Sequence, residues 1–178
     1  MKITCVLAPL FLLAGLTLTA AAADTTVTLS DVHLCCPKCV TGVATAIAPV
    51  TGAKAVCDMS AKTVVLTAPD KDTLQKAVNA LTAAGYFGKS SDNSIKVDAA
   101  TGAPDGKVTT LEVTGVHNCC NPCVTAINGA IAKVPGITSS TVKANATSFT
   151  VAGDFNAKAL FDELQKAGLT GKVVATPK

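Results

Sequence analysis

Two copies of one short motif organise this chain. Residues 32–41 read VHLCCPKCVT, residues 116–125 read VHNCCNPCVT, and the two agree at seven of ten positions at an offset of 84. An apolar stripe with spacings of 3, 4 and 3 residues follows each motif, as is typical of one face of a helix. The stripe consists of Val40, Val43, Ile47 and Val50 in the first copy and of Val124, Ile127, Ile131 and Val134 in the second. The repeat therefore predicts, twice, a Cys-rich loop that leads into an amphipathic helix.

The segments around each helix repeat as well. A β-branched run that is typical of a strand precedes each motif, at 25–32 and at 108–116. Two short strand-like stretches, a second helix that ends at Ala-Gly, and a last short strand from Tyr86 or Leu169 follow in each half. This order, β-α-β-β-α-β in both halves, predicts an α+β protein of two tandem ferredoxin-like sandwiches.

Residues 1–23 have the pattern of a secretory signal peptide, which would make the protein secreted or periplasmic. Lys2 precedes an apolar run that ends at the small residues Ala21-Ala22-Ala23. The alternative is an uncleaved membrane anchor, because the run is nearly long enough to span a bilayer. After cleavage we expect no stable membrane insertion.

The remainder divides into two domains of similar length. We assign 24–90 to the first domain, 91–106 to a linker and 107–178 to the second domain. The linker is polar and contains Gly and Pro, so we expect a flexible segment or an exposed hairpin that lets the domains move independently.

Composition argues against several functions. The chain has 15 basic and 12 acidic residues, a net charge of +3, 3% aromatic residues and no Trp. It therefore lacks the stacking and cationic surfaces that bind nucleic acid, and we expect no such partner. The sequence also shows no catalytic triad, paired carboxylates or phosphate loop, so we expect no enzyme. Its eight Cys and two His point to sulfur or metal chemistry.

Each motif offers a pair of thiols that suits a soft metal ion. The pairs are Cys36 with Cys39 and Cys120 with Cys123. Two Cys three residues apart at a helix start can turn both sulfurs toward one point, and the helix N-terminus favours the thiolate. Thiolates select Cu(I), Zn(II) or another thiophilic ion such as Hg(II) over Ca(II) or Mg(II). We expect about one ion per domain.

Each motif also carries a further thiol and an imidazole. These are Cys35 with His33 and Cys119 with His117. Two Cys ligands alone suit Cu(I) or Hg(II), whereas an added His would complete a shell suited to Zn(II). Adjacent Cys side chains rarely point the same way, so Cys35 and Cys119 could join a three-ligand shell, bridge to a partner or face the core. The two His could be ligands or could only hydrogen-bond the backbone.

A ferredoxin-like unit with C-x-x-C at the start of its first helix resembles the heavy-metal-associated domain family. Soluble copper chaperones, the N-terminal modules of metal-pumping ATPases and the periplasmic mercury-binding protein have this domain. The resemblance covers both halves, and it implies that the two C-x-x-C pairs are metal ligands and that Ala84-Gly85-Tyr86 lies near the metal loop. The family's Gly-Met-Thr before the first ligand is replaced here by His33-Leu34-Cys35 and by His117-Asn118-Cys119.

The resemblance implies a protein that captures a soft ion and sequesters it or passes it to a metal transporter or another carrier. Two other functions remain open: a thiol-disulfide redox protein and a disulfide-stapled, non-catalytic interaction module. The seven Cys after residue 23 are split three, three and one, so a closed set of disulfides cannot use all of them. The seventh, Cys57, lies in a predicted strand and is expected to be a small buried residue.

Overall fold

The computed structural model describes residues 24–174, so the predicted signal peptide lies outside the described residues. The first unit contains β1 (Thr25–Ser30), α1 (Pro37–Ile47), β2 (Lys54–Asp58), β3 (Thr63–Ala68), α2 (Lys71–Ala83) and β4 (Lys89–Ser90). The second contains β5 (Lys107–Thr114), α3 (Asn121–Ile131), β6 (Ile137–Ser140), β7 (Ser148–Asn156), α4 (Ala157–Lys166) and β8 (Lys172–Val173). The strand orders are β2-β3-β1-β4 and β6-β7-β5-β8, and all pairs are antiparallel. The predicted fold class, two βαββαβ units, is confirmed.

Each unit packs two helices against one face of its sheet around its own core. The alternation along β3 shows why: Val64, Leu66 and Ala68 are buried, while the residues between them are half-buried. Helix α2 begins where the carboxylate of Asp70 accepts a hydrogen bond from the backbone N–H of Thr73 at 2.7 Å. None of the helices in residues 24–174 is long and apolar enough to cross a membrane.

The closing strands differ from the prediction. Both β4 and β8 begin three residues later than predicted, at Lys89 and Lys172. Tyr86 and Leu169, where the strands were expected to begin, instead pair with each other across the two units as an antiparallel bridge. The equivalent residues of the two repeats thus join the domains.

The segment at 91–106 is partly packed. Ile95 is buried in the core of the first unit, and the backbone N–H of Lys96 donates to the Gln75 side chain at 2.8 Å. At its other end, the carbonyl of Thr101 accepts from the N–H of Val173 at 2.8 Å. This segment therefore contacts both domains, where we expected a linker or an exposed hairpin.

The bridge between the domains is tight and depends on glycine. The N–H of Phe87 donates to Gly168 O at 3.1 Å, and that of Thr170 donates to Gly85 O at 2.9 Å. Gly85 and Gly168 have φ values of +88° and +77°, which favour glycine. A Cβ at Gly85 would collide with the backbone of His117, and one at Gly168 with that of Asp31. The domains therefore contact each other, contrary to the expectation that they move independently.

Candidate metal centre

The two C-x-x-C pairs stand at the starts of α1 and α3. Cys36 and Cys120 are the N-cap residues, with extended backbone, and a Pro at the first or second helical position follows each. Such a Pro sits where its missing N–H has no helical partner in any case. In α1 the buried stripe consists of Cys39, Val43 and Ile47, so it begins at the thiol, while the expected Val40 is only half-buried. The second thiol of each pair thus points inward.

All six motif cysteines meet in one cluster at the contact between the domains. The close contacts within it, including several between the domains, span 3.5 to 3.8 Å. Each sulfur makes three of these contacts, and Cys35 reaches Cys120 at 3.5 Å across the domain boundary. The two motifs, expected to form separate sites, therefore lie in one cluster.

Exposure falls from the rim of the cluster to its interior. Cys35 is exposed, Cys39 and Cys123 are buried, and the other three motif cysteines are half-buried. Cys123 and its neighbours pack against the core of the first domain. Cys57 lies apart from the cluster, half-buried on β2, and burial raises its pKa. The expectation of a buried residue at Cys57 is thus met only in part.

Both motif histidines lie beside the sulfurs. A ligand nitrogen of His33 lies within 4.8 Å of the sulfurs of Cys35 and Cys123, and one of His117 within the same distance of Cys39, Cys119 and Cys123. The Nε2 of His33 is buried and has no hydrogen-bond partner among residues 24–174. A buried nitrogen without a partner is costly, so this lone pair or proton is available for a ligand.

Tyr86 holds the other histidine. Its ring stacks on that of His117 with centroids 4.4 Å apart, and its hydroxyl lies 3.1 Å from Nε2 of His117. The same hydroxyl donates to the carbonyl of Cys39 at 2.8 Å. This residue belongs to the Ala84-Gly85-Tyr86 segment that the resemblance places near the metal loop, but its contact with the histidine of the other domain could not be expected from the motif.

The cluster stabilises thiolates unevenly. A hydrogen bond from the Cys123 thiol, helped by His117, holds the pKa of Cys39 far below its ordinary value in spite of burial. The same hydrogen bond, together with burial, raises the pKa of Cys123. Burial raises the pKa of Cys35 as well, and with the Cys36 hydrogen bond it raises that of Cys119 to about 12. Among Cys35, Cys39, Cys119 and Cys123, one negative charge is therefore favoured, on Cys39, because further charges would repel it.

At the rim the balance differs for Cys120. Burial acts to raise its pKa, but the backbone N–H of Cys123 and neighbouring thiols outweigh this and lower it to about 7. Near neutral pH the cluster thus offers thiolates at both depths, on Cys39 and on Cys120. A bound cation would neutralise the negative charge of the thiolates. The six thiols and two imidazoles in this geometry can therefore hold a soft metal ion.

The chain was compared with known proteins. No protein-family model matches it, and no curated protein matches it in sequence. Among solved structures, the N-terminal domain of PacS from Synechocystis PCC6803 is 28% identical, with a TM-score of 0.35, over 38% of this chain and 100% of that one. The N-terminal soluble domains of Bacillus subtilis CopA are 13% identical, with a TM-score of 0.33, over 86% of this chain and 95% of that one. Both TM-scores are below 0.5, so these similarities carry no argument about the fold. The fold is assigned from the strand order of the two sheets.

Proposed function

We propose that this chain is an exported, non-catalytic protein that binds soft metal ions of the Cu(I), Zn(II) or Hg(II) class through its clustered thiolates. Both halves are, in this proposal, heavy-metal-associated domains. The observation that carries it is the convergence of six sulfurs at 3.5 to 3.8 Å contacts. Soft thiolates bring selectivity for soft ions, and the buried, unpartnered Nε2 of His33 offers a further donor.

The gradient of exposure supports a role in metal transfer or storage. Cys35 is exposed at the rim, while Cys39 and Cys123 lie buried within the cluster. An incoming thiol from a carrier or transporter can approach at the rim and form a bond to the ion before the inner sulfurs release it. Stepwise exchange of this kind needs no free metal ion in solution, and no nucleic acid or membrane takes part.

The test is the metal content of the reduced chain from residue 24 to 178 after anaerobic equilibration with Cu(I) and, separately, with Zn(II). We expect tight binding that is lost when all six motif cysteines are replaced by Ser, and the preferred ion then identifies the class of cargo. Cys57→Ser is the matched control, since Cys57 lies outside the cluster, and it should bind as the unaltered chain does.

The same preparation distinguishes the alternatives. Thiol counting on gently isolated protein gives near seven free thiols for a metal-binding protein in its reduced form. Oxidised motif cysteines together with no metal uptake after reduction would contradict the proposal and favour the disulfide-stapled module. Turnover of a disulfide substrate by the reduced chain would favour the redox protein.

A further inference from the structure

The nine close sulfur contacts have a specific pattern. They form two triangles joined by three edges, and the hydrogen bond between Cys39 and Cys123 is a further link between the triangles. One triangle consists of Cys36, Cys39 and Cys119, with sides of 3.8, 3.7 and 3.8 Å. The other consists of Cys120, Cys123 and Cys35, with sides of 3.6, 3.5 and 3.6 Å. Each triangle thus contains the C-x-x-C pair of one domain and the leading cysteine of the other.

We propose that each C-x-x-C pair is completed in trans into a three-sulfur metal site by the leading cysteine of the other domain. This inference rests on the proposed function and assigns Cys119 to the site of the first domain and Cys35 to that of the second. Both ions would then bridge the two domains.

The dimensions of the triangles fit this role. The centre of a triangle with sides near 3.7 Å lies roughly 2.1 to 2.2 Å from each sulfur, close to the zinc–thiolate bond length of about 2.3 Å. An ion at the centre could therefore bind all three thiolates with little movement of the chain. Three thiolates suit a trigonal monovalent ion, and an imidazole would extend the site toward tetrahedral Zn(II).

The histidines follow the same exchange between the domains. His33 lies beside Cys35 and Cys123, both of the second domain's triangle. His117 lies beside Cys39 and Cys119 of the first domain's triangle and also beside Cys123. The His-x-Cys segment of each motif is therefore placed beside the C-x-x-C pair of the other domain. In this proposal the His-x-Cys half of each H-x-C-C-x-x-C motif adds ligands to the other domain's site. The C-x-x-C half supplies the two main ligands of its own site.

The backbone explains why completion occurs across the domains. Successive residues in extended chain point in opposite directions, and the N-cap residues Cys36 and Cys120 are extended. Cys35 and Cys36 each contact a thiol of the other domain, Cys120 at 3.5 Å and Cys119 at 3.7 Å. The glycine bridge at Gly85 and Gly168 brings the opposite loop within reach instead.

The experiment isolates one site at a time in the full chain. The variant Cys120→Ser/Cys123→Ser retains only the first domain's pair, and Cys36→Ser/Cys39→Ser retains only the second's. Each background then receives either Cys35→Ser or Cys119→Ser. Cu(I) affinity is measured by anaerobic competition with a chromophoric chelator, and X-ray absorption counts the sulfur neighbours of the ion.

In the first background we expect Cys119→Ser to lower Cu(I) affinity at least about tenfold, because loss of a direct ligand should cost no less than the 10–100-fold of an outer-shell change. The sulfur count should fall from three to two. Cys35→Ser should have a smaller effect there, because Cys35 contacts Cys39 but lies outside the first domain's triangle. In the second background the effects of the two substitutions should be exchanged.

The opposite pattern, with Cys35→Ser weakening the first domain's site, would show completion within each domain and overturn the inference. So would equal, small effects of both substitutions, which would indicate two-sulfur sites. In either case the unaltered chain still binds Cu(I), and the proposed function stands. Failure of the unaltered chain to bind Cu(I), Zn(II) or Hg(II) would instead refute the proposed function itself. Circular dichroism of each variant identifies loss of folding.

Discussion

At the scale of single residues, Tyr86 connects the two domains within the cluster. Its hydroxyl donates to Cys39 O in the first domain and faces Nε2 of His117 in the second. Because the hydroxyl has only one proton, Nε2 of His117 must donate to it. The equivalent residue of the other repeat is Leu169, which cannot hold His33 in this way. The two histidines are thus inequivalent.

Removing the Tyr86 hydroxyl should destabilise the protein. We expect Tyr86→Phe to lower the free energy of unfolding by about 1 kcal/mol, the usual net value of a buried hydrogen bond. Urea denaturation of the reduced, metal-free chain measures this. Tyr86→Leu, which copies the other repeat and also removes the stacked ring, should cost more. An unchanged unfolding midpoint for Tyr86→Phe would show that the hydroxyl contacts contribute nothing to stability.

The uneven pKa values predict how the stability of the reduced, metal-free chain depends on pH. Folding raises the pKa of Cys35, Cys119 and Cys123. A group whose pKa is raised by folding contributes stability that is complete below its unfolded pKa, about 8.5 for a thiol, and is lost as pH rises toward its folded pKa. The melting temperature should therefore fall between pH 8 and pH 10.5.

The matched control for this pH dependence is the chain with Cys35, Cys119 and Cys123 replaced by Ser, in which the same Lys and Tyr residues titrate. Its melting temperature should fall less over the same interval. Equal decreases in the two proteins would contradict the assignment of the raised pKa values to these three thiols.

At the scale of secondary-structure elements, the starts of the helices position the chemistry. Helices α1 and α3 begin directly after Cys36 and Cys120, so both thiols of each C-x-x-C pair lie in or beside the first turn. There the unpaired backbone N–H groups favour negative charge. The sheets below supply rigidity, since β3 runs centrally between β2 and β1. The loops that carry the thiols are thus fixed at the edge of a packed core.

A large-to-small substitution on β3 should show how much this core contributes to the free energy of unfolding. Leu66 is fully buried, and we expect Leu66→Ala to lower the free energy of unfolding by roughly 2–5 kcal/mol. Val56→Ala is the control on neighbouring β2, because Val56 is 69% exposed and should change stability by no more than about 0.5 kcal/mol. Chemical denaturation compares the two. Similar losses would mean that the core is not where the burial places it.

At the scale of the whole molecule, the two domains form a pseudosymmetric pair within one chain. Gly85 approaches the loop at 115–117 of the second domain, and Gly168 approaches the loop at 31–33 of the first. These loops lead directly into the two Cys motifs. The bridge between Tyr86 and Leu169 joins the domains beside these contacts, where the two Cys motifs approach each other. The contact between the domains therefore also brings the two Cys motifs together.

Side chains at the two bridge glycines should separate the domains. We expect Gly85→Ala/Gly168→Ala to increase the radius of gyration measured by small-angle X-ray scattering, because both Cβ atoms would collide with opposing backbone. Gly102→Ala/Gly106→Ala is the control: both residues also have positive φ, but nothing lies within 4 Å of their added Cβ atoms. An unchanged radius for the bridge variant would refute the glycine-dependent contact.

Local patterns of the sequence determined the repeat, the order of the elements and the eight candidate ligands. Helical periodicity and β-branched runs act over a few neighbouring residues, and both copies carried them. The closing strands were placed three residues early because Tyr86 and Leu169 look like strand residues, and they do pair, but with each other. The Ala-Gly pair before each of them marks the place where the backbones of the two domains approach closely. Hydrophobic periodicity does not report on such a contact.

Only the tertiary structure decided that the two motifs share one cluster. Cys35 and Cys120 are 85 residues apart, and their contact depends on how two domain surfaces fit. The same holds for Tyr86 with His117 and for buried Ile95 in the segment between the domains. No short pattern encodes such contacts, because the free energy of docking is summed over a whole interface and no single run of residues carries it.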